Sequence, residues 1–491
     1  MENLPVLIVL LPLCAALLSL LLSKLNLLLS KVVVISSIGV SLVMSCMLLD
    51  EVITEGNVHY SFGNYKMPFG IEFSIDTINA LIVVLIFIIG FITALFCTSF
   101  EKGQSVLKIS GANSLIALLI VGMAGMTLTG DVFNLYVFLE ITSLSAYCLI
   151  ALGGSKGIIS AFRYLLIGTV AASFYLLGVG ILYSTTGTLN MADMARILDE
   201  PGHEQPMLIA MVLLIVAFSI KMAQFPFHGW QPSAYTHAQV SARPLIAGVM
   251  GKIPAYAMFR YIFCIYGVDY KYTKYFLSMI GIFAVCGMIY GSLRAMAQTD
   301  IRKMLAYSSV AQISYIVLGF AIGNPFALVG AFLHMLGHAF MKSGLFFCTG
   351  AISYKFNTVK MDDFGYIYKK MPITMTLLVV AALSMVGIPP TVGFFSKWYL
   401  ASGAASAGQY VYIIVLVISS LLNAVYFFRL IEKVFMGKEK KTLPPSEVNE
   451  REIPISMMIA IIVPLAAILL LGIFNVKIVN ILLMSIKGVA L

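Results

Sequence analysis

The feature that most constrains this chain is a succession of apolar runs, each about 20 residues long, separated by short polar loops. A membrane-spanning helix needs about 20 such residues, and it satisfies its backbone internally because the lipid core supplies no partners. About fourteen segments qualify: 4–23, 28–49, 76–98, 109–129, 132–152, 160–184, 206–225, 244–266, 274–293, 304–322, 326–352, 373–399, 408–430 and 453–474. Strands of a membrane barrel would alternate over about ten residues, and these runs do not alternate. Only 11% of the residues are charged, against about 25% in soluble domains, so no water-facing surface can be built around them. The expected fold class is an all-α polytopic membrane protein with about 14 transmembrane helices. The first run follows no basic segment and reads as a retained span, not a signal peptide. The tail over 476–491 is apolar but too short to span again.

Net charge is +9, yet the basic residues sit in short loops, so topology explains them and nucleic acid is not an expected partner. Alternate loops hold Lys24 and Lys31; Lys102 and Lys108; Lys156 and Arg163; Arg294, Arg302 and Lys303; Lys355, Lys360, Lys369 and Lys370. The loop before the last span adds Arg429, Lys433, Lys438, Lys440, Lys441 and Arg451. The intervening loops are poor in Lys and Arg, and two are acidic, over 50–55 and 193–204. The positive-inside rule then puts both termini on the outer face of a prokaryotic plasma membrane. The seven cysteines are scattered singly inside apolar runs, so no disulfide framework, zinc site or iron–sulfur cluster is expected, and no cofactor.

Two helices are interrupted. The seventh run leads into Phe225-Pro226-Phe227-His228-Gly229-Trp230-Gln231-Pro232, and the twelfth contains Gly387-Ile388-Pro389-Pro390. Proline removes a backbone donor and stops a helix; at membrane depth such a break survives only where protein or a wet cavity satisfies the freed groups. With spans 4–8 as one set and 9–13 as another, the broken helix is fourth in each. The topology makes the two sets inverted repeats, an arrangement used by ion-transfer proteins. The organisation expected is a single membrane domain over 1–491: first three helices within 1–98, a first repeat over 109–266, a second over 274–435, and a last helix with its tail over 453–491.

A charge at the bilayer centre costs about 2.5 kcal/mol or more on insertion scales, so each intramembrane ionisable residue needs a reason. Glu140 lies mid-span in the fifth run, Lys221 stands just before the first break, and Lys252 falls about two turns into the eighth run. His334, His338 and Lys342 follow one another at intervals of four, which stacks them on one helix face. Lys397 follows the second break. A desolvated lysine releases its proton more readily and a nearby carboxylate restores it; histidine, with two ring nitrogens, relays protons between sites. Together these seven residues read as a proton path, with water bridging the gaps.

Plainer readings exist for single members. A Glu–Lys pair can simply lock two helices, and a lone membrane histidine can be an interhelical hydrogen-bonding group. His334 and His338 have metal-ligand spacing but no adjacent third ligand. Arg260, near the outer end of its span, is expected to snorkel. No single-residue account covers all seven.

The residues also carry a family resemblance. Glu140, Lys221 before Phe225-Pro226-Phe227-His228-Gly229-Trp230, Ala247-Gly248-Val249-Met250-Gly251-Lys252, His334 to Lys342, Gly387 to Lys397 and Ser420 to Arg429 resemble the antiporter-like subunits of respiratory complex I. Nearly the whole chain takes part. Within that superfamily, the chain looks most like the D-type member of Mrp sodium/proton antiporters, with relatives in membrane-bound hydrogenases. The resemblance implies two inverted five-helix repeats, Glu140 and Lys221 as a gating ion pair, Lys252 and the histidine helix as central relay, and Lys397 as terminal proton site. The chain departs from the family between spans seven and eight. Trp230-Gln231-Pro232-Ser233-Ala234-Tyr235 and Ala238-Gln239-Val240-Ser241-Ala242-Arg243 lack two prolines and an aspartate usual there.

The resemblance implies a proton-translocating subunit of a multisubunit sodium/proton antiporter. The alternative is the same module joined to a redox arm, as in a hydrogenase or complex I relative. Since this chain has no site for a flavin or iron–sulfur cluster, redox chemistry would belong to partners. A structural scaffold leaves the buried ionisable residues unexplained. Expected partners are other membrane subunits, lipid and protons, with sodium left open.

Overall fold

The computed structural model describes residues 3–65, 70–101, 103–198, 204–437 and 452–489. Lys102, Lys438, Lys440, Lys441 and Arg451, residues 199–203 of the second acidic loop, and the two residues at either end of the chain lie outside the described residues. The chain begins with α1 (Leu4–Leu22) and α2 (Leu27–Glu55). The acidic stretch over 50–55 is thus the last turns of α2, not a loop, because nothing before Gly56 breaks the helix. A short antiparallel hairpin follows, β1 (Val58–Ser61) against β2 (Glu72–Ile75). The apolar-run reading did not foresee it, because the hairpin is too short and too polar to register. It delivers the chain to α3 (Thr77–Cys97), where Asp76 accepts the Ile78 and Asn79 N–H groups and Asn79 accepts the Asp76 N–H, a reciprocal cap.

Next come α4 (Val106–Leu128), α5 (Val132–Ala151), α6 (Ser155–Thr186), the short α7 (Met191–Leu198) and α8 (Glu204–Met222). A 3-10 turn over Phe227–Trp230 leads to α9 (Gln231–His237), which resumes the seventh span after its break. The eighth span is assembled from α10 (Arg243–Gly248), a 3-10 turn (Met250–Lys252), α11 (Ile253–Phe259) and a π-helical stretch (Arg260–Tyr266). It is a third irregular span beyond the two read from the sequence. Pro254 cannot donate to the Met250 carbonyl, and Gly248 and Gly251 weaken the helix before it.

The chain continues through α12 (Thr273–Met296), α13 (Ile301–Ile322), α14 (Pro325–Phe356), the short α15 (Phe364–Lys370), α16 (Pro372–Val386), α17 (Val392–Ser406), α18 (Tyr410–Phe435), α19 (Ile455–Ile473) and α20 (Asn475–Val489). Among the described residues eleven helical segments are long and apolar enough to cross a membrane. The remaining expected spans are the irregular eighth, α14 with its His334, His338 and Lys342, and the twelfth, split into α16 and α17.

The core sits around α14. Every residue from 327 to 352 is buried, and the helix packs against α3, α10, α13, α16, α17 and α19. A helix buried all round belongs in the middle of a bundle. Ser343 ties it to the eighth span by donating to the Pro244 carbonyl at 3.1 Å.

Candidate proton path

The first break is built from sequence. Pro226 has no N–H to offer, and the residue before a proline avoids helical backbone. The helix α8 therefore ends at Met222 and Ala223 turns to φ +60. The carbonyls this frees are re-satisfied locally. Gln224 N–H donates to Ser219 at 2.9 Å, and the Trp230 indole N–H donates to Ile220 at 2.9 Å. Trp230 is held by stacking on Tyr164, with ring centroids 3.7 Å apart. The break is a fixed element rather than a loose one.

Lys221 is the last charged residue before it and is buried. Its ammonium donates to Ser143 Oγ at 2.7 Å and lies 3.4 Å from Glu140 Oε1. Both acceptors belong to α5, three residues apart on one face. The carboxylate contact is long for a charge-assisted bond, which is usually about 2.7–2.9 Å. The Glu140 side chain keeps 27% of its surface exposed. It shares that face with Phe133, Val137 and Leu144, which are 46%, 40% and 56% exposed. A carboxylate thus stands on an apolar strip at mid-span.

Lys252 sits in the 3-10 turn of the eighth span, buried, and donates to the Ala247 carbonyl at 2.8 Å. Lys342 on α14 donates to the Leu305 carbonyl at 2.7 Å and to Ser308 Oγ. Neither has a carboxylate partner among the described residues. A hydrogen bond to a charged group contributes about 1.5–3 kcal/mol, roughly what an intramembrane charge costs. These hydrogen bonds offset the cost of placing the two charges in the membrane.

His334 and His338 stack on one another at 5.7 Å, and His334 stacks on Tyr315 at 5.3 Å. His334 Nδ1 is 2.9 Å from Ser396 Oγ, which lies on α17 beside Lys397. His334 Nε2 and both nitrogens of His338 have no protein partner although they are buried, as do both amide atoms of Gln312 and Oε1 of Gln231. Buried polar groups are nearly always paired with protein or water, so this string of open donors and acceptors marks a place where water would be held. Among the described residues no three His, Cys, Asp or Glu side chains gather that could hold a metal ion.

At the second break Gly387 takes the left-handed conformation (φ 96, ψ 49) that ends α16, as helix C-terminal glycines do. Lys397 comes after the break in sequence, but its side chain folds back across it. Its ammonium donates to the Val386 carbonyl at 2.8 Å and the Met385 carbonyl at 3.2 Å, and it lies 5.3 Å from the Tyr315 ring centre. A cation on the last carbonyls of a helix matches the helix dipole.

The structure thus brings Glu140 to Lys221, and His334, His338, Lys342 and Lys397 to one another around α14. Lys252 lies within the same buried region, its ammonium bonded to the Ala247 carbonyl. Residues not singled out from the sequence join them: Ser143, Ser308 and Ser396 as neutral acceptors, and Tyr315 between His334 and Lys397. Ser143 was findable from its three-residue spacing to Glu140 and Ser396 from its place beside Lys397. Nothing in the sequence marks Tyr315. Arg260 does not snorkel. It is largely buried and pairs with Asp76, while its Nε donates to Tyr256 Oη at 2.7 Å, because Asp76 at the start of α3 gives it a partner closer than the interface.

The family described as NADH:quinone oxidoreductase/Mrp antiporter, TM, matches residues 129–423, which include all seven residues of the row. The chain is 42% identical to the N-type subunit of NADH-quinone oxidoreductase from Desulforudis audaxviator (strain MP104C), over 97% of each chain. It is 30% identical to the D-type subunit of the Na(+)/H(+) antiporter from Bacillus subtilis (strain 168), over 83% of this chain and 82% of that one. Its fold matches a chain of the archaeal membrane-bound sulfane sulfur reductase with a TM-score of 0.90 and 26% identity, covering 99% and 97% of the two chains. It also matches a chain of the Mrp complex from Dietzia sp. DQ12-45-1b with a TM-score of 0.88, covering 100% and 97%; at 24% identity that likeness concerns the fold alone. By a family match over more than half of its length and by its identity to these relatives, the chain belongs to the NADH:quinone oxidoreductase/Mrp antiporter family of membrane subunits.

Proposed function

We propose that this chain is a proton-translocating antiporter-like subunit of a multisubunit membrane complex. The supporting observation is the run of buried titratable groups that starts at the Glu140–Lys221 pair and ends at Lys397, interspersed with unpaired polar atoms of Gln231, Gln312, His334 and His338. In this reading, moving or neutralising Glu140 releases the proton of Lys221. Water carries it by way of Lys252 and the histidines of α14 to Lys397. The two broken helices then occupy corresponding places in inverted repeats. The basic loops face the cytoplasm, and the termini lie outside a prokaryotic plasma membrane. The partly exposed setting of Glu140 on an apolar strip supports a neighbouring membrane subunit packed there, since a bare carboxylate does not face lipid.

Two driving forces fit. Sodium/proton antiport in an Mrp-type complex is the reading carried by the sequence motifs. The higher identity to an NADH-quinone oxidoreductase subunit, over nearly the full length of both chains, favours the second, in which a redox arm drives the module. Purifying the complex through a tag on this chain separates them: flavin or iron–sulfur signals in copurifying subunits establish the redox drive, and their absence from an intact, active complex establishes antiport. For translocation itself, Lys221→Ala and Glu140→Gln should each abolish proton transport by the assembled complex in inverted membrane vesicles. Full transport in correctly assembled variants would overturn the reading.

A further inference from the structure

Away from the row, a cavity of about 520 Å³ opens among the loop joining α5 to α6, the end of α9 and the start of α10. None of the seven residues of the proton path lines it. Its charged lining is wholly basic or titratable to basic: Lys108, Lys156, Arg243, Arg302 and His237, with no aspartate or glutamate in the wall. Arg302 is the one cation among them with a carboxylate partner, Asp300, at 2.8 Å. Lys108 and Lys156 pair with no carboxylate among the described residues.

Arg243 carries the argument. It is only 3% exposed, and its Nη2 donates to the Ala238 carbonyl at 2.7 Å. Its Nε has no acceptor, and no carboxylate pairs with it among the described residues. A buried, incompletely bonded guanidinium is costly to keep unless something anionic completes it. The second contribution comes from backbone. The 32-residue helix α6 begins at this cavity with Gly154 as its N-cap, at φ 100 and with no side-chain acceptor for the first N–H groups. Nothing lies within 4 Å of where a Gly154 Cβ would stand, so the helix end is open. First-turn amides and the positive end of a long helix favour an anion.

We propose that this cavity is an anion site for a phosphate group, held by Arg243, Lys108, Lys156 and the first amides of α6. The group is carried either by an anionic phospholipid headgroup or by free phosphate. A tetrahedral oxyanion accepts several N–H bonds at once and matches both the guanidinium fork and a helix N-terminus. The cavity exceeds what a single phosphate fills, which leaves room for a glycerol headgroup or for water.

The test uses the assembled complex in nanodiscs and reads hydrogen–deuterium exchange over residues 152–160 and 236–243. One preparation holds phosphatidylcholine alone, one adds inorganic phosphate, one replaces part of the lipid with phosphatidylglycerol, and a sodium chloride control matches ionic strength. With ligand at ten times its Kd, exchange through the folded state's opening should slow by about tenfold. Slowing with inorganic phosphate alone assigns free phosphate, slowing with phosphatidylglycerol alone assigns a headgroup, and slowing with both assigns the shared phosphate. Arg243→Gln should lose the effect. The double variant Lys108→Ala/Lys156→Ala, which alters only exposed side chains, should weaken it and keeps the test valid if Arg243→Gln does not fold. No slowing in any preparation, equal slowing with chloride, or slowing unchanged in the double variant each overturns the proposal; the first is also the result expected if an acidic segment of a partner subunit fills the cavity.

Discussion

Lys221 makes its short hydrogen bond to Ser143 and only a long contact to Glu140, 2.7 Å against 3.4 Å. The hydroxyl already cradles the ammonium, so the carboxylate can come and go without leaving a bare charge in the membrane. Removing that hydroxyl should matter almost as much as disturbing the acid. Ser143→Ala deletes one charged hydrogen bond, about 1.5 kcal/mol. Proton transport, followed by dye quenching in inverted vesicles, should fall by roughly tenfold. Transport at or above the wild-type rate would count against the switching role of the pair.

The first break depends on one indole. Trp230→Phe keeps the stacking on Tyr164 but removes the shorter of two hydrogen bonds to the Ile220 carbonyl, leaving the Ala223 N–H at 3.1 Å. A lost hydrogen bond costs about 0.5–1.5 kcal/mol when the acceptor keeps another donor. The thermal midpoint of the solubilised complex should drop by several degrees, whereas an unchanged midpoint would mean that another donor replaces the indole.

Lys397→Met should separate chemistry from packing at the other end. Methionine keeps the apolar stem but cannot donate to the Met385 and Val386 carbonyls. Transport should be lost, and the thermal midpoint should fall because two helix-end carbonyls lose their cation. Wild-type transport with a lowered midpoint would reduce Lys397 to a cap on α16.

Outside the spans, Asp300 caps α13 and binds Arg302 with both oxygens. Burial alone would raise its carboxyl, but the hydrogen bonds and charge of Arg302 outweigh that and hold it below its ordinary value. A carboxylate with a lowered folded-state pKa stabilises above its unfolded value and loses that contribution as pH falls through the folded one. Asp300→Asn keeps the capping oxygen but not the charge. The variant should have a lower thermal midpoint near neutral pH, and the difference from wild type should shrink as pH falls through the lowered folded-state value. A constant difference at all pH values would refute the ionic contribution.

The strip of Phe133, Val137, Glu140 and Leu144 should be covered in the assembly. A photo-reactive amino acid in place of Leu144 should crosslink to a neighbouring membrane subunit when the complex is irradiated, and mass spectrometry of the adduct identifies that neighbour. Crosslinks to lipid alone would show that the strip faces the bilayer.

Much of this was legible in the sequence, and for simple reasons. Apolar runs report spans because lipid admits few alternatives, and Pro226 and Pro390 mark breaks because proline cannot donate. Glu140 and Lys221 stand out because charge is rare at that depth. What remained hidden depends on long-range packing. Lys397 follows its break in sequence yet reaches back over it, which only the fold of α16 against α17 reveals. Tyr315 comes from α13 to lie between His334 and Lys397, and an ordinary tyrosine in an apolar run gives no sign of that. The irregular eighth span was concealed because Gly248, Gly251 and Pro254 sit within an otherwise continuous apolar stretch. Arg260 was misplaced because Asp76, its partner, is 184 residues away.

Every side of α14 from residue 327 to residue 352 is occupied by protein. A helix so enclosed has no free face and cannot act as a lever, because shifting it would disturb the packing of most of the bundle. In the proposed path, the motion open to His334, His338 and Lys342 is therefore that of their own side chains: an imidazole rotating, a lysine arm swinging.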